Sequence, residues 1–128
     1  MLPVTIWTAI AVTILLLVLT VRVIRLRMTG RVSIGDGADP LLAAAIRGHG
    51  NLAEYAPLML ILLGLLEASG AARMPLAILA GVFVGARILH ALAFGKPAGP
   101  PTAARSLGVV GTLGAMIAGA GWLAAIAA

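Results

Sequence analysis

From Pro3 to Val21 the chain runs as "PVTIWTAIAVTILLLVLTV" without one charged side chain. A helix needs about 20 apolar residues to cross the roughly 30 Å hydrocarbon layer of a bilayer, and a helix apolar on every side has no face to offer water. This run extends to Ile24 and predicts a first membrane-spanning helix. Three more follow. The second begins after "GDGADP", where Asp39 can cap and Pro40 can take the first helical position, and continues to Ala68. The third is "MPLAILAGVFVGARILHALAF", Met74 to Phe94, and the fourth runs from about Thr102, after "GKPAGPP", to the C-terminus. The expected architecture is all-α: one domain over residues 1–128, an integral membrane four-helix bundle with helices near 3–24, 40–68, 74–94 and 102–127. Composition agrees, because 62% hydrophobic and 10% charged residues with mean hydropathy +1.13 exclude an ordinary soluble domain.

The formal charge of +5 sets topology in such a chain. No basic residues are interleaved with aromatics, so no nucleic-acid surface is expected. The arginines follow the first apolar run, whereas a secretory signal places its positive residues first, so a retained helix with its N-terminus outside is expected. Arg22, Arg25, Arg27 and Arg31 mark the first loop, Lys96 and Arg105 the third, while the second holds only Glu67 and Arg73 and neither terminus has a charged side chain. Loops one and three are predicted cytoplasmic and both termini non-cytoplasmic, in a bacterial inner membrane. The absence of cysteine excludes disulfides, a thiolate nucleophile and cysteine-ligated metal. Gly108, Gly111, Gly114, Gly119 and Gly121 give the fourth span small residues at spacings that let helices approach closely within or between subunits.

The second span, "AIRGHGNLAEYAPLMLILLGLLE", is apolar yet opens with Arg47, His49, Asn51 and Glu54. Arg47, Asn51 and Glu54 stand at i, i+4 and i+7, one polar stripe over about two turns, with His49 off the stripe. Glu54 lies roughly 20 Å along the helix from Glu67, about a third of the way into the hydrocarbon from the cytoplasmic side. An unpaired carboxylate there is costly, so a partner is expected. Arg87 and His90 on the third span share a face and a similar depth, and Arg87, or Arg47 on the stripe itself, is the expected partner. Arg105 and Ser106 open the fourth helix near the same surface, where free backbone N–H groups and the helix dipole favour an anion. A structural reading makes Glu54–Arg87 an ion pair, Asn51 an interhelical hydrogen bond, and Arg47, Arg105 and His90 snorkelling interface residues. The surplus of cations over one carboxylate suits instead a ligand bearing carboxylates and an amine.

"RGHGNLAEYAPLMLILLGLLE", "GARILHALAFGK" and the "ARS" that opens the last helix together resemble the MAPEG family, the membrane-associated proteins in eicosanoid and glutathione metabolism. The resemblance spans nearly the whole chain. It implies a homotrimer that binds glutathione between subunits on the cytoplasmic side and acts as a glutathione-dependent transferase or peroxidase on lipophilic electrophiles reaching it through membrane lipid. By the same resemblance Arg25, Arg47, Asn51, Glu54, Arg87 and His90 are glutathione-binding, while Arg105 and Ser106 are catalytic at the glutathione sulfur. Phe94 stands where several relatives have a tyrosine, and Gly50 where some have a second arginine. A small four-helix transporter is the alternative from another class, although such exporters carry their glutamate in the first helix, which here has no acid. A non-catalytic membrane protein of the same fold is the third.

Overall fold

A computed structural model describes residues 1–95 and 102–128. Four helices follow in order, α1 (Pro3–Gly30), α2 (Pro40–Ala68), α3 (Arg73–Ala93) and α4 (Ala103–Ala127), each long and apolar enough to cross a membrane. No strand occurs among the described residues. Lys96, counted above with the third loop, lies outside them.

Several termini have a local cause. Asp39 accepts hydrogen bonds from Leu41 N–H at 2.8 Å and Leu42 N–H at 3.4 Å, and Pro40 follows at a position whose N–H would have no partner anyway. Thr102 caps α4 by accepting from Arg105 N–H at 3.3 Å. α1 departs from the sequence-based boundary, continuing past Ile24 to Gly30. Arginine is a good helix former, Arg27 in the last turn suits the negative end of the helix dipole, and no breaker intervenes before Gly30. Arg22, Arg25 and Arg27 therefore project from a helix rather than a loop, and Arg31 closes it in a left-handed conformation at φ 53°.

The N-terminus of α1 is capped from elsewhere. Leu2 precedes the helix without a capping side chain, and Glu67 at the end of α2 accepts from Val4 N–H, Thr5 N–H and the Thr5 hydroxyl, each at 2.8 Å. This contact sets α1 antiparallel to α2. α1 packs chiefly on α2 and α3 chiefly on α4, and among the described residues α1 and α4 do not touch.

Phe83, Met59, Leu63, Leu66 and Leu76 are fully buried, joined by Val4, Val12 and Leu19 from α1 and Ala115 from α4. In lipid, where hydrocarbon solvates leucine as well as a protein interior does, close van der Waals packing rather than water exclusion holds helices together. Gly108 and Gly111 provide it. A Cβ on Gly108 would lie 2.9 Å from both the Ala86 carbonyl oxygen and the His90 nitrogen, and one on Gly111 2.9 Å from the Ala86 Cβ. Among the described residues Gly114 and Gly121 meet nothing within 4 Å, so only part of the glycine pattern serves the α3–α4 contact. Trp7, Ile10, Ile14, Leu17 and Val18 point outward from α1, as lipid-facing residues do.

Candidate functional site

The antiparallel order gathers the C-terminal half of α1, the N-terminal half of α2, the C-terminal half of α3 and the start of α4 at one end of the bundle. Every arginine except Arg73 is at that end. On α2 the stripe is formed as spaced, and Arg47 Nη1 pairs with Glu54 Oε1 at 3.3 Å, the two side chains 60% and 54% exposed. The partner of Glu54 is thus on its own helix, which selects Arg47 and corrects the alternative Glu54–Arg87 pairing. Arg47 stands two turns back on the same outward face, whereas Arg87 turns into the bundle.

Arg87 is 3% exposed. Its Nη1 donates to Asn51 Oδ1, its Nη2 donates to the Gly108 carbonyl at 3.2 Å, and its guanidinium carbon lies 5.5 Å from the centre of the Tyr55 ring. Asn51 therefore makes the interhelical hydrogen bond of the structural reading. Thr112, buried beside it, donates its hydroxyl to the same Gly108 carbonyl at 2.7 Å. α2, α3 and α4 are joined by one polar node. Sequence reasoning missed Thr112 and that carbonyl, although the four-residue spacing from Gly108 is the usual signature of threonine bonding back to its own helix.

A second group lies next to it. His90 is buried, its ring centre 5.0 Å from that of Phe94, and the Arg105 guanidinium carbon lies 4.9 Å from the Phe94 centroid. Phe94 also fills the space over Gly48, where an added Cβ would come within 3.1 Å of the Phe94 Cβ. An apolar ring thus sits between His90 and Arg105 where a tyrosine would place a hydroxyl. The cation–π contact orients the Arg105 head without consuming its N–H donors. Ser106 is exposed in the first turn of α4, its N–H bonded to the Thr102 carbonyl at 3.0 Å.

Two residues are placed elsewhere. Arg25 lines an open groove of ≈ 560 Å³ on α1 with Leu17, Val18, Val21, Arg22 and Leu26, and no residue of the α2 stripe lines it. His49 faces α1, its Nε2 3.1 Å from the Thr20 hydroxyl. Because that hydroxyl donates to the Leu16 carbonyl at 2.8 Å, its oxygen is left to accept from the histidine. The signal for this was legible, since His49 shares a helical face with the buried Leu42, Ala45 and Leu52.

Comparison with known proteins places this geometry in context. The sequence model of the MAPEG family matches residues 5–125. The inner membrane protein YecN of Escherichia coli strain K12 is 40% identical over 72 residues, 56% of this chain and 55% of that protein, and its counterpart in strain O6:H1 matches to the same extent. The chain thus aligns with about half the length of these curated relatives. No solved structure matches it significantly.

Proposed function

The chain belongs to the MAPEG family, and from that premise we propose that it is an inner-membrane, glutathione-dependent transferase or peroxidase acting on lipophilic electrophiles. The observation that carries the reading is the Arg47–Glu54 pair, open on one face of α2, at the same end of the bundle as the Arg105 head. An ion pair built only for stability has no use for so much exposure at a depth where lipid solvates charge poorly. An amphoteric ligand does. Glu54 meets the ligand's amine, Arg47 and Arg25 its carboxylates, while Asn51 is held in place by Arg87 behind it and His90 supports the Phe94–Arg105 stack.

In this reading the open face of α2 is one wall of the site and a neighbouring copy supplies the other. Arg25, separated from the stripe within one chain, then serves the stripe of a neighbour in a homotrimer. The positive-inside rule puts this arginine-rich end in the cytoplasm, where glutathione is available.

Arg105 and the Ser106 hydroxyl stand at the N-terminus of α4, where a cation, a hydroxyl donor and the helix dipole together favour a thiolate over a thiol. The thiol proton passes to water, and the thiolate sulfur bonds to the electrophilic carbon. With a chloronitrobenzene the C–Cl bond breaks and chloride leaves. With a lipid hydroperoxide, two glutathiones become the disulfide while the peroxide is reduced to an alcohol and water. The test is glutathione conjugation by the purified protein in detergent: Arg105→Ala should lose most of the activity with its fold retained, since the residue lies near water at a helix start. Equal rates for variant and wild type would refute the assignment.

A further inference from the structure

α1 is longer than the hydrocarbon it crosses. Glu67 holds its first turn at Val4 and Thr5, and from there about 20 residues at roughly 1.5 Å each use up the bilayer core near Ile24. The helix nevertheless continues to Gly30, so Arg27, Met28 and Arg31 stand at the level of the lipid headgroups. These residues share a face. Ile24, Arg27, Met28 and Arg31 follow at i, i+3, i+4 and i+7, one stripe in which apolar and cationic side chains alternate. At about 100° per residue the stripe lies more than a third of a turn from the face that buries Val4, Thr8, Val12 and Leu19 in the bundle. Arg25 and Arg27 are about 200° apart by the same count, so the arginine read above as a glutathione ligand points to the other side of the helix.

The stripe meets the α1–α2 connection in an open groove of ≈ 350 Å³ lined by Ile24, Arg27, Met28, Arg31, Val32 and Ser33. Arg27 Nη1 donates to the Ser33 carbonyl at 3.2 Å, which folds the connection against the helix and fixes the guanidinium at the groove wall. Among the described residues no carboxylate pairs with Arg27 or Arg31. Asp36 and Asp39, the acids of the connection, accept instead from the N–H groups of Ala38, Leu41 and Leu42. The guanidinium fork matches phosphate oxygens, and two unpaired cations facing one groove favour a ligand of net negative charge over a zwitterion. Beside them Ile24 is 49% exposed, Met28 75% and Ile34 in the connection 89%. Such exposure is costly in water and natural at a bilayer surface, where apolar side chains lie against acyl chains.

We propose that this groove holds one anionic phospholipid, its phosphate between Arg27 and Arg31 and an acyl chain along Met28 and Ile24. The bound lipid fastens the α1–α2 connection to the membrane surface, with Ile34 inserted beside it. A soluble phosphate shares the headgroup chemistry but makes no use of the apolar half of the stripe. None of the residues assigned to glutathione lines the groove, and lipid retention is measured with no thiol present, so either assignment can fail without the other.

The test uses the full-length protein, stripped of lipid in mild detergent and titrated with phosphatidylglycerol, phosphatidylethanolamine or glycerol 3-phosphate, with native mass spectrometry counting the lipid retained. Wild type should retain a single phosphatidylglycerol per chain in a saturable way and hold phosphatidylethanolamine several-fold more weakly. Glycerol 3-phosphate should compete only in large excess. Arg27→Gln and Arg31→Gln should each weaken retention about fivefold. Arg25→Gln, which removes the same charge from another side of the helix, should match wild type. Equal retention of the two lipids, a comparison that needs no variant, would overturn the proposal. So would Arg27→Gln and Arg31→Gln behaving as Arg25→Gln does, or a groove that retains no lipid because a neighbouring copy closes it. Displacement of the lipid by glycerol 3-phosphate at matching concentration would make the site one for soluble phosphate and overturn it as well.

Discussion

Replacing Glu67 should unfasten α1. The first N–H groups of any helix lack partners within it, and in α1 neither Leu2 nor Pro3 offers a capping side chain. Glu67 satisfies Val4 N–H and Thr5 N–H at 2.8 Å each, and it accepts a third bond of the same length from the Thr5 hydroxyl. Losing an N-cap costs about 1 kcal/mol, and a carboxylate beside the positive end of a helix dipole contributes roughly 0.3 to 1 kcal/mol more. With the extra hydroxyl bond, Glu67→Ala should cost about 2 kcal/mol in all, since a net hydrogen bond is worth about 1 kcal/mol or less at a partly exposed site. For a chain of this length that corresponds to roughly 6 to 8 °C in unfolding midpoint. Glu67→Gln keeps an acceptor but loses the charge and should fall between Ala and wild type, while Thr5→Val removes only the hydroxyl bond and should do least harm. Circular dichroism melts of the detergent-solubilised protein read all three. A Glu67→Ala midpoint indistinguishable from wild type, or a Thr5→Val loss as large as that of Glu67→Ala, would refute the capping role.

Gly108→Ala should destabilise the α3–α4 contact by about 1 to 3 kcal/mol, because its Cβ would meet the Ala86 oxygen and His90 nitrogen at 2.9 Å. Gly114→Ala, with nothing within 4 Å among the described residues, should be neutral or stabilising by helix propensity, and melts of the two variants side by side check the contrast. A reporter fused to the C-terminus should report the non-cytoplasmic side, and a cytoplasmic signal would move the arginine-rich end to the wrong compartment for the proposed ligand. Light scattering with correction for detergent should give the mass of three chains, and a monomer that still binds glutathione would contradict a site shared between subunits.

The membrane fold was legible because length, apolarity and breakers speak directly about bilayer spans: Asp39, Pro40 and Thr102 stand where they mark helix starts. The end of α1 was not, since arginines near an interface read equally as loop and as helix, and only the distance to the next glycine separates the two. The stripe Arg47–Asn51–Glu54 followed from helical periodicity on one segment. Which arginine Glu54 meets depended on how α2 rotates against α3, a matter of packing between segments far apart in sequence. The Glu67 cap was hidden for the same reason, as its partners lie at the other end of another helix. Phe94 was visible as a missing hydroxyl, but its place between His90 and Arg105 over Gly48 needed the fold.

The central claim, that the open pair on α2 and the arginine at the start of α4 hold glutathione, is tested most directly by glutathione's effect on unfolding. A ligand that binds only the native state stabilises it by about 2.7 kcal/mol at a hundred times its dissociation constant. Millimolar glutathione should therefore raise the wild-type midpoint by several degrees in a saturable way, and Arg47→Ala and Glu54→Gln, each compared with its own ligand-free midpoint, should remove the shift. No shift in wild type at millimolar glutathione, or an undiminished shift in both variants, would contradict the account.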